Sequence, residues 1–349
     1  MRSVGVHLVL DGQPWRFVGF DDYQLTSQLY SDGFTCGGEH SDAEVDQTLA
    51  QMSRMGVTVV RTWFFQSYVA GRGWAAFDRV LDLAGKYGIR VIPVLANQWG
   101  ACEEYKQAAQ VYRSIAWYRF GYRINREYGV ALPYRDYALS VARHYAGDPR
   151  IAFWQLMNEA EALDFLGGTC DEAQASRALR SFGDDMSLAL KSVDGAHLVS
   201  LGTLGGSQCG TVGPDFQFIH AGAVDICEYH DYQPTPQRGA NRCLALGKPT
   251  FVGERGFASD VGTRQTTAQT LTTRAGYVKR DIESVFGDDR CVGYLLWSWG
   301  SESTAYDVGP QDPIAQVLLA DSRTITRPLA VYLTVWLAAR AGASTHAAR

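Results

Sequence analysis

Short, almost purely apolar runs alternate along the chain with longer stretches in which apolar residues return every third or fourth position. Eight short runs read as β-strands: 15–20, 57–63, 89–95, 151–157, 197–201, 223–229, 250–253 and 292–297. A turn at Asp11-Gly12 precedes the first of them. The stretches 42–55, 74–87, 134–145, 171–193 and 266–286 have the helical period. In the first, Val45, Leu49, Met52 and Met55 fall on one face, and Ser41 stands where a helix cap belongs. Near-continuous apolar strands suit a parallel sheet covered on both faces. Eight of them with helices between predict an α/β fold, a closed (β/α)8 TIM barrel. An open doubly wound sheet competes, but no GxGxxG turn follows the first strand. The pattern predicts a single catalytic domain over 1–342 with elaborated βα loops, and a disordered tail over 343–349. The segment 97–133 is long for a βα loop. It holds Trp99, Tyr105, Tyr112, Trp117, Tyr118 and Tyr122 and is expected to wall a cleft.

Composition narrows the function. The 349 residues are 46% hydrophobic and 20% charged, with a net charge of −5. That excludes global disorder and argues against a nucleic-acid surface, which would carry basic clusters. No apolar run approaches the ~20 residues needed to span a bilayer. Nine Trp and 18 Tyr suit a neutral oligosaccharide or polysaccharide partner. Sugar C–H faces stack on aromatic rings while ring tips donate hydrogen bonds, although most such rings belong to the core.

Two strand ends carry acidic groups. The fourth strand runs directly into Asn158-Glu159, and the seventh into Glu254-Arg255. Barrel active sites sit at the C-terminal strand ends. Cleaving a glycoside needs two carboxyl groups flanking the bond, one to protonate the leaving oxygen and one to attack the anomeric carbon. Either glutamate alone would serve equally as a cap on the following helix. Two of them, Glu159 and Glu254 at strands four and seven, point to a glycosidase, one that retains configuration if the carboxyl groups lie roughly 5–5.5 Å apart.

These segments resemble glycoside hydrolase family 5 of clan A, over about residues 8–320. The family's acid/base follows Asn at the end of strand four, as Glu159 follows Asn158, and its nucleophile ends strand seven, as Glu254 does. Its strand-two Arg is matched by Arg61, its His-x-Tyr after strand six by His230-Asp231-Tyr232, and its strand-eight Trp by Trp297. The resemblance implies that Arg61 and Tyr232 support the nucleophile and that His230 orients the acid/base or binds a hydroxyl. It further implies that Asn158 bonds the 2-hydroxyl and that Trp297 floors the −1 sugar. Family cellulases carry a His after strand three, where this chain has Asn97-Gln98-Trp99. That Asn-x-Trp, together with Arg61-Thr62-Trp63-Phe64, is closer to the family's endo-β-1,4-mannanases. Trp63, Asn97 and Trp99 therefore join the expected substrate contacts.

Endo-acting hydrolysis of β-1,4-mannan is the leading expectation. An exo-acting β-glycosidase or transglycosylase of β-mannosidase or β-glucosidase type is the alternative, and a non-catalytic carbohydrate-binding barrel the third. No cofactor and no metal are expected, since no CxxC or other ligand cluster occurs. A monomer is expected. Of seven cysteines, Cys36 is expected to pair with Cys102 and Cys170 with Cys209, as they fall in loops at one barrel end. Cys227 and Cys291 read as buried free thiols. Disulfides fit secretion, and the absence of a signal peptide leaves the cytoplasm open.

Overall fold

A computed structural model describes residues 1–26, 40–69, 73–100, 102–103, 113–126, 130–164, 168–232, 239–260, 263–300 and 304–321. The segment 343–349, Cys36, Tyr105 and Tyr112 lie outside these described residues.

Three short antiparallel strands open the chain: β1 (Arg2–Val4), β2 (His7–Leu10) and β3 (Gln13–Trp15). Asp11 and Gly12 make the turn between β2 and β3 with φ of 53° and 82°, which the Asp-Gly pair tolerates. Eight parallel strands follow: β4 (Phe17–Asp21), β5 (Val59–Trp63), β6 (Arg90–Val94), β7 (Trp154–Gln155), β8 (Val199–Ser200), β9 (Cys227–Asp231), β10 (Thr250–Arg255) and β11 (Cys291–Trp297). Their order is β8-β7-β6-β5-β4-β11-β10-β9, and a parallel bridge from Ser200 to Ile226 joins the two ends into a barrel. All eight expected strands are present, and the barrel expectation holds.

The barrel interior is layered, as the two-residue strand period requires. Leu8, Leu10 and Trp15 of the opening hairpin pack with Phe17, Val59, Phe153, Ile226 and Phe251, plugging the N-terminal end with apolar side chains. Two residues further along several strands the side chain is polar: Arg61 follows Val59, Gln155 follows Phe153, and Glu228 follows Ile226. These polar groups are fully buried. They form the floor beneath the C-terminal mouth.

The expected helices form with small shifts at their ends. Helix Asp42–Arg54 buries Val45, Leu49 and Met52, and Ser41 and Glu44 cap it reciprocally. Helix Glu172–Val193 presents Phe182, whose ring lies 5.0–5.7 Å from those of Trp117, Tyr118, Tyr122 and Tyr134. Trp117, Tyr118 and Tyr122 are therefore core residues and not a cleft wall, a correction to the sequence expectation. Their amphipathic rings gave no signal of which side they would bury.

Cys170 and Cys209 are bonded as expected. Cys102 is also disulfide-bonded, and its expected partner Cys36 lies outside the described residues. Cys291 is a buried free thiol. Cys227 is not: it is bonded to Cys243. Its apolar strand suggested an inert core thiol, but the helix Gly239–Leu244 lays Cys243 against that strand from 16 residues away. Among the described residues no helix is long and apolar enough to cross a membrane.

Candidate active site

The mouth of the barrel gathers its acidic groups around one cation. Arg61 lies on β5, inside the barrel and fully buried. Its Nη1 donates to Asp21 Oδ1 and to Glu254 Oε1, each at 2.8 Å. Its Nη2 donates to Asn158 Oδ1 at 2.6 Å, and its Nε to Gln155 Oε1 at 2.7 Å. One rigid fork thus fixes four side chains from three strands and a strand end.

Glu254 reaches the mouth through a break in strand period. Phe251 faces inward, so simple alternation would turn residues 253 and 255 inward as well. The register of β10 shifts against both neighbours beyond Val252. That irregularity aims Glu254 into the barrel and Arg255 outward, where it pairs with Asp281 at 2.7 Å. Gly253 sits at the shift with no side chain. A Cβ there would stand 3.1 Å from the His230 ring.

Glu159 follows β7 with φ of 53°, a left-handed conformation that costs a non-glycine residue about 1–3 kcal/mol. The close approach of Gly202 holds the segment: a Cβ at Gly202 would lie 1.6 Å from the Met157 carbonyl oxygen. The Ala160 amide donates to the Gly202 carbonyl, and the Gln208 side chain donates to that of Glu159. Trp99 Nε1 donates to Glu159 Oε2 at 2.8 Å. His230 Nδ1 lies 2.9 Å from Glu159 Oε1 and 3.4 Å from Glu254 Oε2. One oxygen from each glutamate and a ring nitrogen of His230 all fall within 4.8 Å of one another. Tyr232 donates its hydroxyl proton to Glu254 Oε2 at 2.5 Å.

The groups titrate as a unit. Burial pushes the Glu254 carboxyl above its ordinary value, against the pull of His230 and Arg61. Burial acts the same way on Glu159, but the hydrogen bond and charge of His230, and then Trp99, bring it below its ordinary value. Burial alone would lower His230, yet Glu254, Glu159 and Glu228 push it up to about 10. Burial holds Asp21 well above the carboxylate range. Burial and Glu254 keep Tyr232 a neutral donor.

Of the ten residues expected at the site, Arg61, Trp99, His230 and Tyr232 touch one or both of the two glutamates, and Asn158 joins them through Arg61. Trp63 is only 3% exposed; it stacks on Phe65 and packs its ring against the Arg61 guanidinium, so it braces that residue. Asn97 is buried and accepts from Asn158 Nδ2 and the Trp99 amide, each at 3.2 Å, so it orients those two residues. Trp297 is partly exposed and stacks on Tyr23, with centroids 5.6 Å apart and planes 11° from parallel. Sequence reasoning missed Tyr23, Asp21, Gln155 and Glu228. Asp21 was legible as the polar residue ending the first apolar run, and Gln155 and Glu228 as polar interruptions of the fourth and sixth.

Among the described residues two clusters could chelate a metal. Cys170, Glu172 and Cys209 are one, but the two sulfurs are bonded to each other. Glu159, His230 and Glu254 are the other, and Arg61 and Tyr232 already occupy Glu254 there.

Replacing Arg61 with Met is expected to lower stability by about 3–5 kcal/mol, because buried carboxylates would lose their cation. Urea denaturation measures this, and an unchanged midpoint would contradict the role given to Arg61.

Comparison with known proteins agrees with this geometry. No family model matches the chain. A mannan endo-1,4-β-mannosidase of Aspergillus aculeatus is 22% identical over 85% of this chain and 82% of its own length. The crystal structure of an endo-1,4-β-mannanase from Rhizomucor miehei superimposes with a TM-score of 0.64 at 18% identity, covering 92% of this chain and 97% of the other. The chain is a glycoside hydrolase that resembles the endo-β-1,4-mannanases of family 5. An exo-β-1,4-mannosidase from an Opitutaceae bacterium shares the fold too, with a TM-score of 0.66 at 16% identity over 95% of this chain and 63% of the other. The barrel is thus common to endo- and exo-acting relatives.

Proposed function

We propose that the protein is a retaining endo-β-1,4-mannanase in which Glu254 is the nucleophile and Glu159 the acid/base. The observation that carries this is the approach of the two glutamates, one oxygen of each lying within 4.8 Å of the other. Retaining enzymes hold their carboxyl groups about 5–5.5 Å apart, and inverting ones leave room for a water between.

In the first step Glu254 attacks the anomeric carbon while Glu159 gives a proton to the departing oxygen. Arg61 and Tyr232 orient the attacking carboxylate and favour its charged form against the pull of burial. Glu159 must carry a proton at that moment, although its surroundings favour the carboxylate. That proton lies within reach: His230 Nδ1 is 2.9 Å from Glu159 Oε1. In the second step Glu159 takes a proton from water, the water attacks the same carbon, and Glu254 departs. Trp297, braced by Tyr23, offers the −1 sugar an apolar floor. Asn158, held by Arg61 and Asn97, keeps an amide proton for the 2-hydroxyl.

Disulfides at Cys170–Cys209 and Cys227–Cys243 suit an extracellular setting for such an enzyme. The test is a substrate panel of linear mannan, cellulose, xylan and aryl β-glycosides. Mannan should be cut fastest, with an early loss of viscosity and a ladder of oligosaccharides. Mannose alone as the first product would favour the exo-acting reading, which rests on the shared barrel of the exo-mannosidase. Hydrolysis of no β-glycoside would overturn both.

A further inference from the structure

His230 offers its two ring nitrogens to different acidic groups. Nδ1 faces the catalytic pair. Nε2 points the other way, toward Glu228 Oε1 at 3.7 Å. Among the described residues neither of these last two atoms has a hydrogen-bond partner, and both are buried. Complementary buried atoms this close, each otherwise unpaired, are matched to one another, since leaving either alone is costly. The second oxygen of Glu228 is fixed by Ser200 Oγ and Gln155 Nε2, and Gln155 in turn accepts from Arg61. Gly253 leaves room where the pair meets: a Cβ there would lie 3.1 Å from His230 Nε2 and 3.5 Å from Glu228 Oε1.

The charges around His230 point the same way. Glu228 faces it from β9, Glu254 from β10 and Glu159 from the end of β7. Beyond them stand Asp21 and Arg61, already paired. Even with Asp21 neutral, three glutamates would share the single positive charge of Arg61 unless the imidazole carries another.

We propose that Glu228 is a positioning residue that accepts the Nε2 proton of His230, holds the ring doubly protonated and so keeps Nδ1–H as the source of the proton that Glu159 delivers. This rests on the acid/base role given to Glu159. The proton leaves Nδ1 for Glu159 and goes on to the glycosidic oxygen. His230 is left neutral, with Nε2–H still donated to Glu228. When Glu159 later takes a proton from water, that proton returns to Nδ1.

Glu228→Gln tests the proposal. The amide can still accept from Ser200 and Gln155, but it presents an N–H to Nε2, which must then become an acceptor. In protein labelled with 15N-histidine, the wild type should show His230 protonated on both nitrogens at pH 8, and Glu228→Gln should show one proton, on Nδ1. On mannan the variant should lose about 10-fold in kcat with KM within about 2-fold, and the alkaline limb of its pH profile should move lower by roughly two units or more. In a His230→Asn background the same change should cost less than about 2-fold, because the two residues act as a unit. An unchanged nitrogen pattern in Glu228→Gln overturns the proposal. If that variant does not fold, Glu228→Asp draws the charge back from the ring, and an unchanged His230 titration in it overturns the proposal equally. The nitrogen spectra need no substrate. A wild type that cleaves no glycan therefore defeats the glycanase reading and leaves the pairing to be judged on its own.

Discussion

Glu254→Ala should reduce kcat on mannan by roughly 10⁴-fold or more, since no other group is placed to form the covalent intermediate. The truncation leaves a hole lined by Arg61 and Tyr232, with His230 behind it. A small anion fits such a lining, so azide should restore part of the rate on an activated aryl mannoside. It would enter from the face that Glu254 occupied and leave α-mannosyl azide as the product. KM should change far less than kcat, because the residues expected to bind sugar, Trp297 and Asn158, remain. Steady-state kinetics and NMR of the azide adduct check both points. A variant that keeps more than a few per cent of wild-type turnover, or a β-azide, would contradict the nucleophile assignment.

Glu159→Ala separates its two substrate types instead of silencing both. A sugar leaving group is a poor one and needs its proton, so mannan turnover should fall by about 10²–10⁴-fold. A dinitrophenyl leaving group needs none, so the first step on dinitrophenyl β-mannoside should continue at close to its normal rate. The second step loses its base, so the glycosyl-enzyme should accumulate and lower the apparent KM. Azide should relieve that block and give β-mannosyl azide, the opposite anomer to the Glu254 variant. An equal loss on both substrates would deny Glu159 the acid/base role. It would leave that residue as a buried prop for Trp99 and His230.

The barrel was legible because eight apolar runs and their helical partners follow two unmistakable periods. The two glutamates were legible because each ends such a run. What escaped was anything that depends on breaking a period or choosing a face. The shift in β10 that turns Glu254 inward has no sequence signal beyond Gly253. Cys227 looked like a core thiol because its strand is apolar, and nothing in the run foretold Cys243 beside it. Trp117, Tyr118 and Tyr122 looked like part of a cleft wall for the same reason that they make good core: large rings with polar tips serve both ends. Trp63 and Asn97 were placed at the right end of the barrel, but they brace Arg61, Asn158 and Trp99. Asp21, Gln155 and Glu228 are polar residues inside apolar strands. Arg61 donates to Asp21 and Gln155, and Gln155 donates in turn to Glu228.

The stereochemistry of the first product tests the paired glutamates most directly. Proton NMR during the first minutes of mannopentaose cleavage distinguishes the newly formed reducing end before mutarotation scrambles it. Two carboxylates sharing one anomeric carbon through a covalent intermediate require the β-anomer to appear first and the α-anomer to grow in later. An α-anomer at the earliest time points would mean direct attack by water, which carboxylate oxygens within 4.8 Å of each other leave no room for.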